Sequence, residues 1–317
     1  MLKELFNTNK EIIINTDIDG FLSGMILQKY YGCKIVGFSN SRETIWVVPE
    51  VSSIYEPIYI DLYVNRPDVV CIEQHIIAYN KAHHDKIKSS LTKFNPNLER
   101  QRTFVGDMNS DYYHKYPFGT VHYLMSLMAK EGVMVDFGNL STMQTFNING
   151  KLFETCAGQV LLRADDALYS TQSPYRQNAL DWWKWLDPNK EYPPIQKMIN
   201  YIESLDINKA REYKQKIGDF FIALGCDGID GAFKTITDTN GMLLPKVNEY
   251  LKIITSLMGL NLVISSNFII HKGKYIVQFC RPGDDMNILD AANLYSYAFI
   301  FGPRPKYPNF SYTIDMN

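Results

Sequence analysis

The chain has 317 residues, a formal net charge of −2 and 46% hydrophobic residues. Its length exceeds what one compact core commonly holds, so two domains are expected. The near-neutral charge excludes a global basic field that would draw in nucleic acid over a distance, leaving only local contacts. The cysteines at 33, 71, 156, 226 and 280 are scattered and form no C-x-x-C pair, which excludes a zinc ribbon or a dithiol redox motif and fits a reducing, cytoplasmic setting. Lys3, Glu4, Lys10 and Glu11 interrupt the apolar segment a signal peptide would need, and no apolar run approaches the roughly 20 residues of a membrane span. A soluble protein with no membrane partner is the expectation.

Short apolar runs ending in polar residues dominate the chain up to His75, at 11–16, 34–38, 45–48, 57–64 and 69–72. They lack strict alternation, as strands buried on both faces do, and predict a parallel sheet flanked by helices. Helices are predicted at 21–31, 78–91, 116–130, 152–162, 175–186 and 195–205. The polar stretch 95–113 reads as an excursion, and 188–213 as charged helix and connector. A helix follows at 244–258, then strands at 267–271 and 275–280 around Lys272-Gly273-Lys274, a helix at 287–295 and a strand at 310–314. The predicted fold class is α/β. A parallel-sheet domain would span 1–187, a helical linker 188–214 and a smaller α+β substrate-binding domain 215–317, with the site between the two domains.

Chemistry concentrates where the first runs end. Asp17 and Asp19 follow Ile12-Ile13-Ile14 and precede Gly20. Two apart on an extended strand, their side chains point the same way. Converging carboxylates repel unless a cation lies between them, and a divalent ion with oxygen ligands is the economical answer. The amides that open the helix after them suit a phosphate oxygen, with Ser23 in its first turn as cap or donor. A solvated DxDG turn is the alternative. Asp61 lies in Ile58-Tyr59-Ile60-Asp61-Leu62-Tyr63, where an isolated carboxylate is costly; it reads as a third metal-directed carboxylate or as a cap on the next turn. His75 ends Glu73-Gln74-His75, beyond the run 69–72, and ligands collect outside such strand ends in open α/β sheets. His83-His84-Asp85 reads as a solvated helix face, Trp183 with Ala179 and Leu186 as core, and 226–231 (CDGIDG) as a turn.

The stretch D-I-D-G-F-L-S-G-M-I-L resembles motif I of the DHH phosphoesterase superfamily, which includes RecJ-like exonucleases, oligoribonucleases, cyclic-dinucleotide phosphodiesterases and one class of pyrophosphatases. The resemblance implies that Asp17 and Asp19 bind metal and that Asp61, in Tyr59-Ile60-Asp61, bridges two metal ions. Glu73-Gln74-His75 stands where the family carries Asp-His-His; only His75 agrees. The fourth-motif carboxylate is implied at Asp165 or Asp166. A DHH-associated C-terminal domain is implied as well, with Arg281 matching its strand arginine. Phe301-Gly302-Pro303-Arg304 replaces its Gly-rich His turn.

On this reading the chain is a metal-dependent phosphodiesterase acting on single-stranded or short oligonucleotides. Mn2+ or Mg2+ would sit between Asp17, Asp19, Asp61 and Asp165. Asp61 and His75 would be catalytic, and Ser23, His75, Arg281 and Arg304 would contact substrate. Gln74, a poor ligand beside imidazole, would weaken one metal site. Two alternatives stay open. One is a haloacid-dehalogenase-type phosphatase with Asp17 as nucleophile, Asp19 as acid/base and Asp165 and Asp166 as metal carboxylates. The other is an inactive descendant that binds a nucleotide, an oligonucleotide or a protein.

Overall fold

The structure is a computed structural model and describes residues 1–105, 114–164, 175–300 and 309–317. The chain opens with helix α1 (Leu2–Thr8), strand β1 (Glu11–Asn15), helix α2 (Ile18–Tyr31) and strands β2 (Lys34–Ser39), β3 (Thr44–Val47), β4 (Ile58–Ile60) and β5 (Cys71–Ile72). It continues through α3 (Lys81–Lys88), β6 (Lys93–Phe94), the single turn α4 (Pro96–Glu99), α5 (Thr120–Lys130) and the strands β7 (Gln144–Ile148) and β8 (Lys151–Thr155). Helices α6 (Ala157–Arg163), α7 (Tyr175–Leu186), α8 (Pro193–Ser204), α9 (Ala210–Ala223) and α10 (Pro245–Met258) come next. Strands β9 (Ile269–Lys272), β10 (Lys274–Phe279), β11 (Leu294–Ile300) and β12 (Asn309–Ile314) end the chain.

Among the described residues, the strands form a seven-stranded sheet ordered β6-β5-β4-β1-β2-β3-β9, a three-stranded sheet ordered β10-β12-β11 and the β7-β8 pair. From β6 to β2 all neighbours are parallel, whereas β3 and β9 are antiparallel additions. The predicted parallel sheet is therefore a mixed one, mostly parallel, in an α/β fold. Ile12, Ile13 and Ile14 are all buried because both faces of β1 are covered. Helix α2 is buried almost all round, which explains its lack of a polar stripe. Gly20 makes its close approach possible: a Cβ there would lie 2.2 Å from the carbonyl oxygen of Asn15.

Two predicted elements differ. The helix expected at 152–162 is β8 followed by α6. The Asn149-Gly150 turn, with both residues at positive φ, closes an antiparallel pair whose Phe146 and Phe153 pack on Phe220. The helix expected at 287–295 is a short 3-10 turn (Asn287–Asp290) followed by β11. There Tyr295, Tyr297 and Phe299 alternate with Ser296, Ala298 and Ile300, the period of a strand. The two strands expected on either side of Gly273 are present and join different sheets, β9 beside β3 and β10 beside β12. The C-terminal region thus supplies an edge to the first sheet. The segment expected as a linker is also packed, since α8 buries Ile195, Met198, Tyr201 and Ile202 in the main core. A second core, including Ile76, Leu98, Phe104, Phe299 and Phe310, lies under the three-stranded sheet. Among the described residues no helix is long and apolar enough to cross a membrane.

Candidate functional site

Strand β1 lies between β2 and β4, so the chain leaves it in one direction through α2 to β2 and later resumes on its other side. Such a reversal opens a crevice at the C-terminal ends of the two strands, the usual ligand position in open α/β sheets. Ile14 pairs with Ile60 across it. The chain leaves β1 as Asn15-Thr16-Asp17 and leaves β4 directly into Asp61. Asp61 has φ 62°, a left-handed conformation that aspartate tolerates better than most residues. Neighbouring β5 runs into Glu73-Gln74-His75.

The carboxylates gather there through partners that the sequence reading did not anticipate. The expected strand alternation does not apply to Asp17 and Asp19, because β1 stops at Asn15 and Asp19 already lies within α2. Asp17 is the N-cap of α2, and its Oδ1 accepts the Gly20 N–H at 2.9 Å. The Asn15 amide donates to Asp17 Oδ2 at 2.8 Å and to Asp61 Oδ2 at 3.0 Å, linking the two. Thr120 Oγ1 donates to Asp61 Oδ1 at 2.8 Å. Asp19, one turn into α2, accepts the backbone N–H groups of Thr120 (2.6 Å) and Val121 (2.9 Å), which tethers the start of α5. Because α2 begins at Ile18, Ser23 falls in its second turn, fully buried, with its hydroxyl unpartnered and away from the cleft.

Burial, then the facing Asp61 carboxylate, pushes Asp17 well above the usual carboxylate range. The Gly20 N–H opposes the shift and Asp230 adds to it. Burial, then Asp19, pushes Asp61 up as well, while His75, Asn15 and Thr120 pull it back. The pair is therefore short of positive charge. Oxygen donors of this kind suit a hard divalent cation. Among the described residues, however, no three His, Cys, Asp or Glu side chains converge as a formed metal site; the carboxylates turn instead toward Asn15, Gly20 and Thr120.

Above them lies a cleft of about 430 Å3. Asp17 and His75 are on its floor, the 227–234 loop and the Ser41-Arg42 turn on its walls, and Tyr275, Tyr297 and Thr313 of the three-stranded sheet form its roof. Thr313 Oγ1 donates to the Arg42 carbonyl at 2.5 Å, tying roof to wall. The loop is pinned to the β1–α2 corner by Phe233 N–H to the Thr16 carbonyl (2.9 Å) and by Thr16 Oγ1 to the Phe233 carbonyl (2.7 Å). Asp230 therefore stands at the rim near Asp17, so the 226–231 stretch is a wall of the cleft as well as a turn. Helix α9, not a strand, leads into it.

Among the described residues lining the cleft, the Lys and Arg side chains are Arg42 and Lys234. Arg281 lies outside the lining, in an exposed turn beyond β10, where its N–H donates to Asp284 at 2.7 Å. Asp165, Asp166 and Arg304 lie outside the described residues. His83 and His84 belong to the second core's surroundings: His84 bonds the Leu98 carbonyl at 2.8 Å, and His83 is half-buried against Tyr297 and pushed down to about 4 by desolvation. Sequence reading missed Asn15 and Thr120. The start of α5 was placed at 116, which hid Gly119 as the N-cap and Thr120 as the first helical residue.

No protein-family model, curated protein or solved structure matches the chain.

Proposed function

We propose that this chain is a phosphoric-ester hydrolase that takes a divalent cation, Mn2+ or Mg2+, at the β1–β4 crevice and acts on a phosphodiester of a short single-stranded oligonucleotide or a nucleotide. The observation that carries the reading is the Asp17–Asp61 pair at the sheet's switch point, Asp61 buried and Asp17 half-buried on the cleft floor beside His75, linked through Asn15 and, among the described residues, without a Lys or Arg hydrogen-bond or ion-pair partner. Asp17 and Asp61 would hold the cation, with Asp230 as the nearest further carboxylate. Once bound, such an ion polarises a phosphoryl oxygen and lowers the pKa of a coordinated water. Asp19 serves by anchoring α5, whose Thr120 orients Asp61. His75 hydrogen-bonds the scissile phosphate from the floor, and Arg42 and Lys234 neutralise its neighbours from the walls. A cleft of about 430 Å3 is of a size to take a nucleotide or a short single strand, which supports such a substrate over a duplex.

Titration of the purified protein with Mn2+, followed by assay on an end-labelled short oligonucleotide, tests this. Binding and cleavage that are both abolished in Asp17→Asn and Asp61→Asn are expected. No Mn2+ binding at millimolar concentration would count against it. A second reading, binding without turnover, is favoured by Gln74, which is buried with its side-chain amide beside the His75 ring and stands where the resemblance calls for an imidazole ligand. Mn2+ and oligonucleotide binding without cleavage would select it.

A further inference from the structure

Glu73 is 1% exposed although it flanks a solvent-reaching cleft, and its neighbour His75 is 31% exposed on the cleft floor. Glu73 Oε2 accepts the backbone N–H of His75 at 2.6 Å and lies 3.2 Å from its Nδ1. Glu73 Oε1 accepts from the Asn95 side-chain amide. That amide also donates to the His75 carbonyl at 2.7 Å, and Asn95 Oδ1 caps α4 through the N–H groups of Asn97 (2.7 Å) and Leu98 (3.1 Å). The Asn97 amide holds the Gln74 carbonyl at 2.5 Å. The strand end and the α4 corner are thus laced together around one carboxylate. Gln74 Nε2 lies 3.5 Å from His75 Nε2.

We propose that Glu73 is a positioning residue that fixes the His75 imidazole as its Nδ1–H tautomer, with Nε2 presented to the cleft and Asn95 locking Glu73 in place. Among the described residues, the hydrogen-bond partners of the Glu73 carboxylate are N–H groups of His75 and Asn95, so its oxygens act as acceptors and Nδ1 carries the proton that faces them. A ring held at one nitrogen by a carboxylate has a fixed orientation and a more basic second nitrogen, the relation found where a carboxylate backs a functional histidine. Nε2 then accepts from the Gln74 amide when the ring is neutral. When the ring is protonated, it donates to an anionic oxygen in the cleft. The tautomer follows from the geometry alone; its use on a phosphate rests on the hydrolase reading above.

The experiment is a long-range 1H–15N correlation spectrum of protein labelled at its histidines, recorded where the imidazoles are neutral, with His75 assigned by its loss in His75→Gln. The wild-type protein is expected to show the Nδ1–H pattern at His75 rather than the Nε2–H form favoured by a free imidazole in water. Glu73→Gln, whose amide cannot satisfy both the Asn95 and the His75 donors, is expected to lose it; Glu73→Asp, which keeps a carboxylate, is expected to retain it. An Nε2–H pattern in the wild type overturns the proposal without reliance on any variant. So does an unchanged Nδ1–H pattern in folded Glu73→Gln. If hydrolysis is found, Glu73→Gln should lower kcat by about 10- to 100-fold with KM little changed. An Nδ1–H tautomer lost in Glu73→Gln, in a protein that hydrolyses nothing, supports the positioning role and counts only against the hydrolase reading.

Discussion

The floor and the roof of the cleft are built by opposite means. On the floor, each chemical side chain sits one to three residues beyond a short apolar strand, so its place follows from where β1, β4 and β5 stop. On the roof, the antiparallel strands turn one face to the second core through Phe299 and Phe310. The other face leaves Phe279 69% and Val277 51% exposed. What reaches the cleft from the roof depends on which residues share a face and which end of β10 points inward. Tyr275 does and Arg281 does not, although both are on or next to the same strand. Position along a strand thus sufficed to find floor residues, whereas roof residues are chosen by long-range pairing.

The largest test of this contrast removes the roof's own core. Phe310→Ala should cost about 4 kcal/mol and raise amide exchange across β10–β12 while β1 and α2 stay protected. A single collapse of protection in both regions would show that floor and roof do not open separately. Next in size is Gly20→Ala, which places a Cβ 2.2 Å from the Asn15 carbonyl oxygen and should cost about 3 kcal/mol by urea unfolding. Unchanged stability would mean that the β1–α2 corner has slack the floor is not expected to have.

Asp61→Asn should act in the other direction. A carboxyl whose pKa is raised on folding destabilises the native state once pH exceeds its unfolded value of about 4, and the penalty grows until pH reaches the raised folded value. Asn keeps an acceptor for the Asn15 amide, and Thr120 can reverse its hydroxyl to accept from the new amide. The variant should therefore be more stable than wild type near neutral pH and show a smaller stability loss as pH rises from mildly acidic values, checked by urea unfolding across that pH range. A loss of stability at neutral pH would contradict the charge-poor floor. Smallest is Phe279→Ser on the open roof face, expected within about 0.5 kcal/mol of wild type; a larger change would reveal a packing partner for that face.

Much of the floor was legible in the sequence. Unbroken apolar runs marked β1, β4 and β5, and the polar residues after them, Asp17, Asp61 and His75, come together at one edge because parallel strands bring their C-terminal ends to the same side. Hydrophobic period and strand direction are local properties, and a single sequence carries them. Only the tertiary structure decided the rest. Asp19 turned to the α5 amides, Asn15 and Thr120 became the bridges between carboxylates, and Asp230 arrived from a loop more than two hundred residues along the chain from Asp17. The large sheet took its last strand from the C-terminal region. Each of these depends on which distant segment meets which strand end, and that is settled by long-range packing and by the need of buried donors and acceptors for partners, which no local spacing records.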